Sequence, residues 1–151
     1  MKKTLIALCL ASTLSACGQK SLDEHVKNAN DAIANNDFQT AVIELKNAVK
    51  LSPDNAQARF LLGKTYLDLK QYDSAEKELE RALEYGYAPE IVVPILSKVY
   101  HRTGEDKGLF KLTAKAKGIK PRELAQLKFY QVKAYTDNGQ TEKAQALIDE
   151  I

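Results

Sequence analysis

The chain has 151 residues, 44% of them hydrophobic and 28% charged. That is ordinary globular material for one core or one short array, and too little for two large domains. Its 22 lysines and arginines face 20 acidic residues, and Lys2 and Lys3 fall in a leader expected to be removed. The remainder is neutral overall, which argues against nucleic-acid binding through bulk charge.

The leader comes first. Met1-Lys2-Lys3 is a positive start, Leu5 to Leu14 an apolar run, and Ser15 and Ala16 are small residues at its end, the pattern of an export signal over residues 1–16. The run of about ten residues is too short to cross a bilayer, which takes about twenty helical residues. Cys9 lies inside the leader, so Cys17 has no disulfide partner. Leu14-Ser15-Ala16-Cys17 resembles the bacterial lipobox. The resemblance implies cleavage before Cys17, acylation of that residue, and a short tether over 17–21. The alternative is an ordinary export signal that ends near a cysteine. Gly18, rather than Asp, after the cysteine implies sorting to the outer membrane of a Gram-negative envelope, facing the periplasm. Two or more acyl chains anchor a protein firmly where one is marginal.

From Leu22 onward the apolar residues recur at helical spacing. Helices are expected at 22–35, 39–51, 56–69, 74–85, 90–103, 107–117, 122–137 and 141–151. In the third of these, Leu62, Gly63 and Tyr66 share a face; in the fourth, Ala75, Leu79, Ala82 and Leu83 do. The small residues Gly63, Ala75 and Ala82 mark the closest backbone approach. Lys70-Gln71-Tyr72-Asp73 reads as a polar turn plugged by its one aromatic. Pro53 and Pro121 mark turns, and Pro89 and Pro94 are placed near a helix start, where proline costs least.

A period of thirty-four residues runs through these helices. Phe38 recurs as Tyr72, Ala41 as Ala75, Glu44 as Glu78, Leu45 as Leu79 and Ala48 as Ala82; Tyr66 recurs as Tyr100 and, with one inserted residue, as Tyr135. This is the spacing of the tetratricopeptide-repeat family, which the chain resembles over nearly everything after Ser21. The resemblance implies an all-α solenoid of antiparallel hairpins, with repeats at 22–55, 56–89, a degenerate 90–124 and an incomplete 125–151. The first repeat has Ala32 where an aromatic is usual. The third has Leu109 where a small alanine is expected and Asp106 where an aromatic is, so its second helix is the least secure element. The last segment ends on Ala144, Leu147, Ile148 and Ile151, an apolar stripe at i, i+3, i+4 and i+7 with no polar cap after it. The expectation is a longer native product or self-association through that end.

A narrower likeness rests on Asp37 to Lys50, Ala58 to Lys64, Ser74 to Leu79 and Leu83 to Tyr87. These stretches resemble the amino-terminal part of the large repeat lipoproteins of the PEP-CTERM and exosortase system, whose members are several times longer. The likeness implies a membrane-anchored scaffold for protein partners in exopolysaccharide production or protein sorting. Repeat lipoproteins that assist type IV pili (pilotin-like) or outer-membrane protein assembly are the alternative.

No catalytic or metal site is expected. His25 and His101 are the two histidines, neither at metal-ligand spacing from another, and no nucleotide loop or nucleophile elbow is present. Glu76 with Glu80, and Asp23 with Glu24, read as solvated helix faces. No cofactor is implied. A binding surface is the stronger reading, because stacked hairpins line a groove with their first helices. The ninth repeat position is Asn30, Lys64, Lys98 and, past the insertion, Lys133. These read either as a site for an acidic peptide or anionic polysaccharide, or as a solvated face in a lysine-rich chain, the simpler of the two. Phe60, Pro94 and Phe129 point to a partly apolar groove, with His101 and Arg102 exposed beside it. The lysine-asparagine clamp of heat-shock co-chaperones is not matched, since Val26, Leu61, Ile91 and Ile95 hold most of its positions.

Overall fold

The structure, a computed structural model, describes residues 20–150. The expected leader at 1–16, Cys17 and the tether as far as residue 19 lie outside the described residues, as does Ile151. Among the described residues there are eight helices and no strand: α1 Leu22–Ala34, α2 Phe38–Leu51, α3 Ala56–Asp68, α4 Tyr72–Glu84, α5 Pro89–Thr103, α6 Asp106–Lys115, α7 Pro121–Asp137 and α8 Thr141–Ile148. They pair in chain order as hairpins, and each hairpin's second helix packs on the first helix of the next.

Local chemistry sets the helix starts. Ser21 accepts from the Glu24 amide while the Glu24 carboxylate takes the Ser21 amide at 2.7 Å, a reciprocal cap on α1. Asp37 and Asn55 cap α2 and α3 through the amides of Thr40 and Ala58. Pro89 and Pro121 open α5 and α7 at the first helical position, where a missing N–H is harmless.

The turns inside the hairpins repeat one hydrogen bond. Asp37 donates to Ala32, Gln71 to Tyr66, Glu105 to Tyr100 and Gln140 to Tyr135, each amide reaching back five residues at 2.8–2.9 Å. The residue before each donor has positive φ: Asn36 and Lys70 at 58°, Gly104 at 74°, Gly139 at 69°. In the last three hairpins the periodic tyrosines therefore stand where the first helix hands its last carbonyls to the turn, and Ala32 holds that place in the first.

Between the helices of a hairpin the packing follows the small residues. Ala41, Ala75, Ala48 and Ala82 are fully buried, with Leu45 and Leu79 between them. A Cβ on Gly63 would lie 2.8 Å from Leu79 Cγ and 3.2 Å from its amide nitrogen, so α3 and α4 meet where only glycine fits. In the third hairpin Leu109 is fully buried. The small residue there is Gly108, one position earlier, where a Cβ would sit 2.7 Å from the Tyr100 ring. The close approach in this hairpin thus falls one repeat position before that of Ala75 in the second.

Four expectations need correction. Tyr72 is the first residue of α4, so the turn before it is shorter than 70–73. Pro94 lies inside α5, at its sixth residue, rather than in the opening turn; its ring removes a donor to Glu90. The second helices of the last two hairpins end early, α6 at Lys115 and α8 at Ile148, against expected ends of 117 and 151. Glu76 and Glu80 are not a plain solvated face, since they accept from Thr103 and the Tyr100 hydroxyl of α5.

Candidate functional site

Along the face built by α3, α5 and α7 runs an open cleft of about 440 Å³. Its floor is apolar: Leu67 from α3, and Pro94, Ile95 and Val99 from α5. Its rim is cationic, with Lys64 one turn before Asp68 on α3, and Lys98 one turn before Arg102 on α5. Tyr72, at the start of α4, closes one end, and the Arg102 guanidinium stands 6.0 Å from the centre of its ring. Gln126 of α7 closes the other side.

Three cations thus face one carboxylate. Among the described residues, none of Lys64, Lys98 or Arg102 has an acidic group within 4.0 Å, and all three are exposed. Their charges are left for solvent or for a partner. The arrangement can hold an extended anionic chain by long-range attraction while its apolar side chains settle on Ile95 and Pro94. No group of acidic, histidine or cysteine side chains suited to a metal ion occurs among the described residues.

Of the residues read from the sequence as groove candidates, the fold brings Lys64, Pro94, Lys98 and Arg102 into this cleft. Asn30 is exposed on α1, outside it. Phe60 does not line the groove: it is 7% exposed in the core, stacked on Tyr87 at 4.2 Å. His101 is half-buried, with its ring 5.2 Å from that of Tyr130. Phe129 is 56% exposed on α7, edge-on to Tyr130, and Lys133 follows it one turn later, partly covered. Asp68, Tyr72 and Gln126 join the cleft without being groove candidates from the sequence. The period carried a signal for the first, since Asp68 and Arg102 are the same repeat position in successive hairpins.

Elsewhere the polar side chains serve the scaffold. His25 Nδ1 and Lys20 Nζ both bind Glu44, holding its carboxyl below the usual carboxylate range. Arg59 pairs with Glu78 at 2.6 Å and donates from Nε to the Pro53 carbonyl at 2.9 Å. On the other side of the molecule, burial raises the Glu76 carboxyl and pushes the Tyr100 phenol up.

Residues 32–91 match the tetratricopeptide repeat family model. Solved repeat structures extend the likeness over the helices described above. The fold is a tetratricopeptide-repeat solenoid. MamA superposes with a TM-score of 0.71 at 22% identity, over 85% of this chain and 75% of that one. YrrB, described as a TPR protein with an unusual peptide-binding site, superposes at 0.70 and 18% identity, over 84% of this chain and 65% of its own. A putative kinesin light chain of Podosopora anserina, with nearly identical TPR-like repeats, gives 0.62 at 23% identity over 92% and 77%. At these identities the likeness shows the fold alone. No curated protein matches the chain. No helix among the described residues is long and apolar enough to cross a membrane.

Proposed function

We propose that the chain is a non-enzymatic scaffold that holds a protein partner by an acidic, partly apolar segment laid in the α3/α5/α7 cleft. The observation that carries this reading is the convergence of Lys64, Lys98 and Arg102, unpaired among the described residues, over the apolar floor of Ile95 and Pro94. A peptide-binding site in YrrB, a repeat protein of the same fold, supports it by analogy. The lipobox-like segment ending at Cys17 supports placement in a bacterial cell envelope on a lipid anchor. The likeness to exosortase-system lipoproteins supports a role in exopolysaccharide export or protein sorting.

A panel of labelled extended peptides tests the cleft directly. Each peptide carries one apolar residue flanked by Asp and Glu, and its counterpart carries Asn and Gln at the same places. Fluorescence anisotropy should show the acidic members binding more tightly, with the preference shrinking as salt rises. Equal binding of acidic and amide peptides would leave the lysines as solubilising charges and overturn the reading.

A further inference from the structure

The outward face of α2 is built unlike the groove. Ile43, Lys46, Asn47, Lys50 and Leu51 fall at i, i+3, i+4, i+7 and i+8, on the side away from the buried Ala41, Val42, Leu45 and Ala48. Ile43 is 61% exposed and Leu51 42%. Lys46 and Lys50 are exposed as well, with no acidic group within 4.0 Å among the described residues. Beside this face, α1 and α2 enclose an open cleft of about 370 Å³ lined by Lys20, His25, Asn47, Lys50 and Leu51. Two carboxylates stand near it: Glu44, engaged at 2.7 Å by Lys20 and also by His25, and Glu24, held by the Ser21 cap and also lowered by Lys20.

Uncovered aliphatic side chains beside lysines are what an interfacial helix presents to an anionic bilayer. Chain geometry adds a second argument. Lys20 follows Cys17 by three residues, which span at most about 10 Å even when fully extended. An acylated Cys17 therefore keeps the Lys20 end of the cleft within about one Debye length of the lipid surface. We propose that this face docks on anionic phospholipid, with a headgroup phosphate between Lys20 and Lys50 and with Ile43 and Leu51 in the interface. The proposal rests on the lipid-anchor reading of Cys17. It makes the membrane contact two-part, acyl chain plus basic helix face, and so gives the first hairpin one orientation on the bilayer.

The test uses the acylated full-length protein carrying Ile43→Cys. Processing removes Cys9 and acylation blocks Cys17, so the introduced thiol is the free one. The protein is reconstituted into phosphatidylcholine vesicles with or without phosphatidylglycerol, and alkylation by a charged maleimide is timed. Phosphatidylglycerol should slow the reaction roughly thirtyfold, the scale set by two lysines at an anionic surface. High salt, or Lys46→Gln with Lys50→Gln, should restore the rate. A thiol at Glu142→Cys, on α8, should react alike on both vesicles. Equal rates at position 43 on both lipids, in protein that floats with the vesicles, overturn the docking face alone. Protein that floats with neither overturns the anchor and the docking together, while the peptide panel still judges the cleft.

Discussion

Each of the first two hairpins is crossed by a hydrogen-bonded side-chain pair at the same two repeat positions, His25 with Glu44 and Arg59 with Glu78. In the third hairpin those positions hold Val93 and Leu112, both buried. The register of the helices is kept across the change. Where α6 meets α7, the tie is a neutral amide: Gln131 Nε2 donates to the Leu109 carbonyl at 3.1 Å and to Thr113 Oγ1 at 2.9 Å. The repeat thus dictates where backbones approach, while the chemistry of the crossing rung is exchangeable, provided both partners change together. A lone charge at either position has no such freedom, because desolvation is offset only by the opposite group.

The largest effect expected from this comparison lies in the second hairpin. Arg59→Val alone strands Glu78 and should cost about 3–5 kcal/mol in chemical denaturation. Adding Glu78→Leu, which installs the residues of the third hairpin, should recover most of that loss. A double variant as unstable as the single one would show that the rung is not exchangeable.

Next comes the close approach of α3 and α4. Gly63→Ala should lower stability by about 1–3 kcal/mol, since its Cβ would press on both the side chain and the backbone of Leu79. Gly108→Ala should cost less, because the atoms it meets are the far ring of Tyr100 and the chain of Glu105. Equal costs would remove the distinction between a seam bounded by backbone and one bounded by side chains.

The smallest effect is on acid stability, and it has opposite signs in the two regions. The Glu44 carboxyl is lowered by Lys20 and His25, so its contribution is present above the ordinary carboxylate value of 4.5 and is lost as pH falls through the lowered one. The Glu76 carboxyl is raised by burial against α5. It favours the fold while protonated, and that contribution is lost as pH rises from 4.5 through the raised value. Glu44→Gln should therefore flatten the loss of stability below 4.5, and Glu76→Gln should stabilise near neutrality but not in acid. Parallel thermal melts from pH 3 to 7 check both signs, and identical profiles for the two variants would contradict the assignment.

Much of this architecture was legible in the chain because the period is carried by residues with a single physical job. Gly63 and the alanines mark backbone contact, and Tyr66, Tyr100 and Tyr135 mark the last turn of α3, α5 and α7. What was not legible depended on how consecutive hairpins superpose. Phe60 and Phe129 share a repeat position once the insertion is allowed, yet Phe60 is covered by Tyr87 from the turn before α5 and Phe129 stands open to solvent. Gln71 and Asp73 flank Tyr72 and give it the look of a turn residue; in the fold α4 begins at Tyr72 and the ring becomes a wall of the cleft. The exchange of His25 and Glu44 for Val93 and Leu112 was invisible for the same reason, since each rung joins two helices nineteen residues apart.

Joint action of the α3 and α5 cations on a partner is tested by the salt dependence of acidic-peptide binding to the wild type and to Lys64→Gln/Lys98→Gln/Arg102→Gln, alongside the melting temperature of each. With about 0.5 kcal/mol for each exposed ion pair, the triple variant should bind about tenfold more weakly and lose most of its salt dependence, with its melting temperature unchanged. Unaltered affinity and salt dependence in a variant that melts like the wild type would show that these cations do not hold the partner.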